Sequence, residues 1–289
     1  MPDATALRVG VTGAQGYVGS AVAAAFAQAG HHVVAFARRP NGVYEHRKYE
    51  LTAPVPADLL GGIDVLIHCA YDWTPRTWDD VIRVNVEGTR RLLETTVAAG
   101  ARFILISSVS AFDGTRQLYG NSKLAAERIT LEAGGNVVRL GTVYGGANGG
   151  IFGLLLRIAK LPVIPVFAAH SPQALIRLDN ATAALVALAE TSTVSGELIG
   201  LASPSTIEFG ELMRALSSVK GKPAMIVPVP WRPLYLLLRA VERAGVSLPV
   251  RSETVLGLAS PPTTLASVGL WEKLGVRIDP PDLDPRSVA

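Results

Sequence analysis

Residues 7–19 read LRVGVTGAQGYVG, an apolar run from Leu7 to Thr12 that closes on three glycines, Gly13, Gly16 and Gly19. An alanine-rich apolar segment with helical character, Ala21 to Ala29, follows directly. Strand, glycine turn and helix in that order begin a nucleotide-binding βαβ unit. Each glycine has a mechanical task. One permits a tight turn with positive φ, one lets a pyrophosphate approach the backbone, and the last lets the helix pack against the strand. The helix N-terminus then offers unpaired N–H groups and a partial positive charge to phosphate. The spacing here is GxxGxxG rather than GxGxxG.

Working outward, the chain of 289 residues suits one large α/β domain with a smaller appendage, and 49% hydrophobic residues can fill a substantial core. The net charge of +3, from 27 basic against 24 acidic residues, gives no electrostatic case for nucleic acid. A single cysteine, Cys69, excludes an internal disulfide framework and fits a reducing, cytoplasmic setting. No charged-then-apolar leader precedes the first strand, and a cytoplasmic protein is expected. The most apolar run, Ile151 to Ala169, is interrupted by Arg157, Lys160, Pro162 and Pro165, so no membrane span is expected.

Further strands are expected at His32 to Ala37, Tyr49 to Leu51, Asp64 to His68, Phe103 to Ser107 and Asn136 to Leu140. A long helix is expected over Trp78 to Ala99, and another carries Tyr119, Lys123 and Glu127. This alternation predicts a doubly wound parallel sheet of Rossmann type. Past residue 148 the alternation loosens. Helices are expected over Ile151 to Lys160, Asn180 to Glu190, Glu208 to Val219 and Trp231 to Ala244, with short strands at Ala174 to Leu178 and Ala224 to Val229 and a proline-punctuated loop at 261–262. The division that follows assigns 1–148 and 174–192 to the dinucleotide-binding domain. Residues 149–173 and 193–289 form a smaller substrate-binding region.

The second strand ends at Arg38-Arg39. An acid there would bind ribose hydroxyls, whereas arginine meets a 2′-phosphate, so NADP is expected over NAD. His68 ends a buried strand and reads as structural. Tyr119 and Lys123 stand one helical turn apart, after a strand that delivers Ser107, Ser108 and Ser110 to the ligand crevice. A phenol pKa of about 10 brought to near neutrality needs about 4 kcal/mol of phenolate stabilisation. One ammonium about 4 Å away supplies energy on that order at an effective dielectric of about 20.

These motifs together resemble an extended short-chain dehydrogenase/reductase of the NAD-dependent epimerase/dehydratase type. TGAQGYVG is similar to that family's TGxxGxxG, HCA (68–70) to its HxA segment, NVEGT (85–89) to NVxGT, and YGNSK (119–123) to YxxxK. RLGTVYG (139–145), IRLDNATAAL (176–185) and LWEKLGV (270–276) resemble its later segments. The resemblance implies Ser108, Tyr119 and Lys123 as catalytic residues. It puts Gly13, Gly16, Tyr17 and Val18 on the pyrophosphate, with Ala70, Val143 and Lys123 along the cofactor. Only 11 residues separate Ser108 from Tyr119, which leaves Ser110 as the alternative serine. Glu50-Leu51 stands where the family carries Asp-Leu near the adenine.

The reading that follows is an oxidoreductase passing hydride between NADP(H) and a carbonyl or secondary alcohol on a small molecule with a largely apolar or lightly polar skeleton. The alternatives are a nucleotide-sugar epimerase/dehydratase, with Arg157, Arg177 and Arg251 as candidate phosphate ligands, and a catalytically silent dinucleotide-binding sensor or assembly subunit. No metal is expected, and a homodimer is a possible assembly.

Overall fold

A computed structural model describes residues 6–146, 149–218, 224–246, 248, 250–259 and 267–283. Ala147 and Asn148 of the glycine-rich turn, Val219 and the proline pair at 261–262 lie outside the described residues. The first half alternates as the sequence predicts. It runs β1 (Arg8–Thr12), α1 (Tyr17–Gln28), β2 (His32–Ala37), β3 (Glu45–Lys48), β4 (Val65–His68), α2 (Trp78–Val81), α3 (Glu87–Ala98), β5 (Arg102–Ser108), α4 (Leu118–Glu132) and β6 (Asn136–Leu140). There follow β7 (Thr142–Tyr144), α5 (Gly150–Ile158), β8 (Val163–Phe167), β9 (Pro172–Gln173), β10 (Leu175–Arg177) and α6 (Leu178–Glu190). The remainder holds β11 (Leu198–Leu201), β12 (Ile207–Glu208), α7 (Phe209–Ser218), β13 (Met225–Val229), α8 (Trp231–Arg243), α9 (Ser252–Ala259) and α10 (Val268–Lys273).

Seven strands form one parallel sheet in the order β11-β6-β5-β4-β1-β2-β3. The strands nearest its centre are continuous apolar runs because helices cover both faces. On one face α1 and α6 bury Val22, Phe26, Leu185 and Leu188 against Val9, Val11, Ile67 and Ile104. On the other, Leu92 and Leu93 of α3 and Ala126 and Ile129 of α4 cover Phe36, Leu66, Phe103 and Leu105. The chain leaves β1 in one direction for β2 and β3, then returns to place β4 on β1's other side. That reversal opens a crevice beyond the ends of β1 and β4, where a ligand binds in such sheets. The doubly wound fold is therefore as expected.

Four local expectations need correction. The third strand is Glu45–Lys48, not Tyr49 to Leu51. It is a charged edge strand, and its side chains suit an exposed sheet margin better than an apolar alternation would. Tyr49 instead tucks inward, buried against the core beneath α3. The long helix over Trp78 to Ala99 is interrupted by a π-helical turn, Ile82–Val86. Strands β8 and β11 were not anticipated from sequence. β11 pairs with β6 in the main sheet, and Trp271, buried in the same core, donates its indole N–H to the Gly200 carbonyl at 2.8 Å. Residues 198–201 and 271 thus pack with the sheet, although the sequence boundary assigns 193–289 to the substrate-binding region. A separate core gathers Phe152, Phe167, Phe209, Leu216, Leu238 and Val255 around the parallel pair β8–β13.

Candidate active site

Gly13 ends β1 with φ +65°, in the left-handed region that side chains disfavour. A Cβ at that position would lie 3.0 Å from the Ala70 backbone nitrogen, so the turn sits directly against the end of β4. Gly19, one turn into α1, approaches so closely that its Cβ would come within 2.2 Å of the Gly13 carbonyl oxygen. Gly16 caps α1 without a side chain, leaving the helix's first N–H groups facing the crevice, the requirement for a pyrophosphate. Val18 and Ala70 are half-buried on either side of this turn, and Val143 is half-buried on β7. Tyr17 donates its hydroxyl to the Gly145 carbonyl at 2.6 Å, and a Cβ on Gly149 would collide with it at 2.4 Å. It therefore holds Gly145 and Gly149 against the start of α1, and burial pushes its phenol up to about 12. The chain's glycine cradle fits a dinucleotide.

Arg38 and Arg39 are exposed at the end of β2, and neither side chain has a hydrogen-bond or ion-pair partner among the described residues. Gln15 ties this corner to the phosphate turn by donating to the Arg39 carbonyl at 2.6 Å. Glu50-Leu51 lies further along, where the Leu51 carbonyl accepts from Arg91 at 2.6 Å and Leu51 packs on Gly88 of α3.

His68 is fully buried, 2.7 Å from the Thr12 hydroxyl and 3.0 Å from the Thr89 hydroxyl. Thr89 spends its own proton on the Asn85 carbonyl, so His68 Nε2 donates to Thr89 and Nδ1 accepts from Thr12. Thr12 in turn accepts the Ala70 N–H at 3.1 Å. Burial, helped by the Lys123 charge, pushes the imidazole down to about 3. His68 is thus a neutral clasp that holds the end of β4 to β1, consistent with its structural reading.

The helix α4 presents Tyr119, Lys123 and Glu127 at four-residue intervals toward β5 and β6. Glu127 is buried and locks the helix in place. It accepts from Ser107 Oγ at 2.5 Å and takes a bidentate pair from Arg139 at 2.9 and 2.6 Å. Further toward the crevice, the Ser108 side chain acts on the Tyr119 phenol, drawing its pKa down against burial, while Ser110 donates its backbone N–H to Ser108 Oγ at 3.1 Å. Of the two candidate serines, Ser108 is the one that acts on the phenol's electrostatics. Lys123 is buried and donates from Nζ to the Ile106 carbonyl at 2.7 Å, with the Tyr71 ring 5.3 Å from its ammonium.

The electrostatics depart from the expectation that Lys123 draws the phenol down. Burial, reinforced by Tyr71 and Glu127 and only partly offset by the Ser108 hydrogen bond, pushes Tyr119 up. The ammonium is aimed at a backbone carbonyl, and it is itself pushed down to about 8 by burial. In this arrangement Tyr119 is a protonated phenol at neutral pH, ready to donate.

Two aromatic side chains that carried no signal as site residues enclose Tyr119. Trp73 stacks on its ring with centroids 4.7 Å apart and planes 27° apart, and Tyr71 meets it edge-on at 5.0 Å. Their position just past the end of β4, where a parallel strand delivers ligand contacts, is the one clue the sequence contained. The π-helical turn has a role here. It turns Asn85 so that its side chain accepts from Asp72 N at 2.7 Å and donates to Asp72 O at 3.0 Å, fixing the loop between the two aromatics. From the far end of the chain, Glu253 on α9 accepts the N–H of Leu118, the first residue of α4, at 2.8 Å. Nothing in the local sequence announces that contact, since 135 residues separate its partners. Of the three arginines considered for a sugar diphosphate, Arg177 is paired with Asp179 at 2.6 Å. Arg157 bonds the Gly153 carbonyl of its own helix, and Arg251 lies beside Glu253.

A model of the NAD dependent epimerase/dehydratase family matches residues 9–160. Ceramide reductase of Caulobacter vibrioides is 32% identical over 265 residues, covering 86% of this chain and 81% of that protein. Methionine adenosyltransferase 2 subunit beta of Bos taurus is 31% identical over 162 residues, 48% of this chain and 47% of its own length. Among solved structures, the NAD dependent-NDP-hexosamine 5,6-dehydratase TunA shares the fold, with a TM-score of 0.72 and 16% identity over 98% of this chain and 96% of TunA. The strand–glycine turn–helix cradle, the tyrosine and lysine a turn apart on α4, and the match over residues 9–160 converge: the chain belongs to the NAD dependent epimerase/dehydratase family, the extended type of short-chain dehydrogenase/reductase, and uses a nicotinamide cofactor.

Proposed function

We propose that the protein is an NADPH-favouring reductase that converts a ketone on a long-chain, ceramide-type lipid to the secondary alcohol. The observation that carries this reading is the Tyr119 phenol, stacked against Trp73 and met edge-on by Tyr71, whose apolar faces roof it. Such a mouth suits a substrate with little charge around the reacting carbon. Gly13, Gly16, Tyr17, Val18, Ala70 and Val143 line the cofactor, and the unpartnered Arg38, helped by Arg39, takes the 2′-phosphate. A nicotinamide held by these residues would supply the hydride for the carbonyl carbon. Tyr119 Oη gives its proton to the carbonyl oxygen, and Ser108 Oγ donates a hydrogen bond to that oxygen as negative charge develops on it. Lys123, held at the Ile106 carbonyl beneath the site, keeps a buried positive charge one helical turn from Tyr119. A raised phenol favours this direction, because the tyrosine arrives protonated.

The similarity to a ceramide reductase over most of both chains supports the lipid class. Ceramides carry a secondary hydroxyl, the product form of a ketone. The competing nucleotide-sugar reading draws on the shared fold with TunA. It needs convergent free arginines for a diphosphate, and Arg177 and Arg157 are already engaged.

The test is NADPH oxidation by the purified protein with a long-chain keto-amide lipid, simple ketones and aldehydes, and UDP- or dTDP-sugars, followed by product analysis. Turnover of the lipid, reduced to under a few per cent by Tyr119→Phe with cofactor binding intact, is the expected result. Turnover confined to sugar nucleotides would overturn the substrate class. Cofactor binding without turnover of any substrate would point instead to a binding subunit.

A further inference from the structure

Most exposed large apolar side chains in a protein are scattered singly and need no explanation. Here they are concentrated. Of the thirteen most exposed among the described residues, six fall between 225 and 248: Met225, Val227, Leu236, Leu237, Val246 and Leu248. The helix α8 shows how they are arranged. Trp231, Leu234, Tyr235 and Leu238 turn inward onto the core around β8–β13. At 3.6 residues per turn, Pro233, Leu236, Leu237, Ala240 and Ala244 then occupy the opposite face, and all five are exposed. Leu236 and Leu237 are 63% and 62% exposed, with most of each residue turned away from the rest of the chain.

The charges on α8 are ordered too. Arg232, Arg239 and Arg243 run along one flank of the apolar face, and none forms an ion pair among the described residues. Arg232 lies over the Trp231 ring at 5.5 Å, and Arg239 lies over Tyr235 at 5.8 Å while donating to its hydroxyl. The one acid on the helix, Glu242, is turned inward, accepting the N–H and hydroxyl of Ser252 at 2.8 and 2.6 Å. The outer surface therefore combines exposed leucines, an arginine edge and no opposing carboxylate from the helix itself. Immediately before α8, the outward side of the β8–β13 pair is also apolar, with Met225 opposite Val163 and Val227 opposite Pro165.

We propose that α8, with the exposed Val246 and Leu248 beyond its end, is a docking surface for an anionic lipid bilayer, lying in the interface with its leucines among the acyl chains and its arginines on the phosphates. Charge complementarity commits the surface to this occupant. A second copy of the chain would set the same three arginines against each other or require carboxylates that this helix does not present. The helix is an interfacial one and does not span: no described helix is long and apolar enough to cross a membrane. The proposal deepens the lipid-reductase reading and rests on it for its purpose, which is to bring the Tyr119 site to a substrate that resides in a bilayer.

The experiment is co-sedimentation of the full chain with vesicles of phosphatidylcholine alone and of phosphatidylcholine mixed with phosphatidylglycerol. Wild type should partition to the mixed vesicles, roughly tenfold or more over the neutral ones, and lose that preference in high salt. Leu236→Asn/Leu237→Asn should abolish partitioning, and Arg232→Glu/Arg243→Glu should remove the preference for anionic lipid. Both pairs are exposed, and circular dichroism with NADPH binding confirms that each variant is folded. Turnover of a water-dispersed short-chain ketone should be the same in all three proteins, while turnover of a vesicle-embedded lipid should fall in both variants. Vesicle binding without lipid turnover leaves the docking surface standing and removes the substrate reading. Absence of binding to anionic vesicles overturns the docking surface, whatever the activity, and so does concentration-dependent dimerisation that Leu236→Asn/Leu237→Asn abolishes.

Discussion

Replacing Lys123 by methionine should make the fold more stable while removing catalysis. Lys123 is 5% exposed, and burial lowers its pKa from 10.5 to about 8. At pH 7 the folded protein must hold an ammonium that the unfolded chain binds far more readily. That difference destabilises the native state by about 3 kcal/mol, since each tenfold change in proton affinity is worth about 1.4 kcal/mol. The penalty is complete below about pH 8. It fades as pH rises toward 10.5, because the unfolded state then surrenders the proton that the folded state has already lost. Methionine fills similar volume without the charge, but leaves the Ile106 carbonyl without its 2.7 Å donor, a loss of about 1–2 kcal/mol. The net gain at pH 7 should be about 1–2 kcal/mol, or a rise in Tm of a few degrees for a chain of this size. The assay is urea denaturation of both proteins from pH 7 to 10. The variant's advantage at pH 7 should shrink by about 2 kcal/mol or more by pH 10. A difference between the two that stays flat across this range would refute a buried, depressed ammonium at this position.

Arg38→Asp should weaken NADPH at least tenfold in a fluorescence titration and leave NADH nearly unchanged, since a charge-assisted phosphate contact contributes about 1.5–3 kcal/mol. Arg139→Met should lower stability by about 3–5 kcal/mol in denaturant, because it strands the buried Glu127 carboxylate. Gly19→Ala should lower both nucleotide affinity and the denaturation midpoint, as the new Cβ meets the Gly13 backbone carbonyl that shapes the phosphate turn.

The sequence by itself determined the parallel sheet, the phosphate turn and the placing of Tyr119 and Lys123 one turn apart on α4. These are local matters: a β-branched run buried on both faces, a glycine where φ must be positive, and two side chains one helical turn apart each follow from residues near one another in the chain. It misplaced β3 because a charged edge strand lacks the apolar pattern that marks a buried one. It missed β11 because four residues carry too little periodicity, and the strand exists through its pairing with β6. Tertiary structure alone turned Lys123 toward the Ile106 carbonyl and set Trp73 over Tyr119. It also brought Glu253 to the start of α4. Each of these depends on which groups burial brings together from distant parts of the chain. Burial is also what reverses the expected electrostatics, because desolvating a phenol and an ammonium together outweighs the attraction expected from their spacing on one helix.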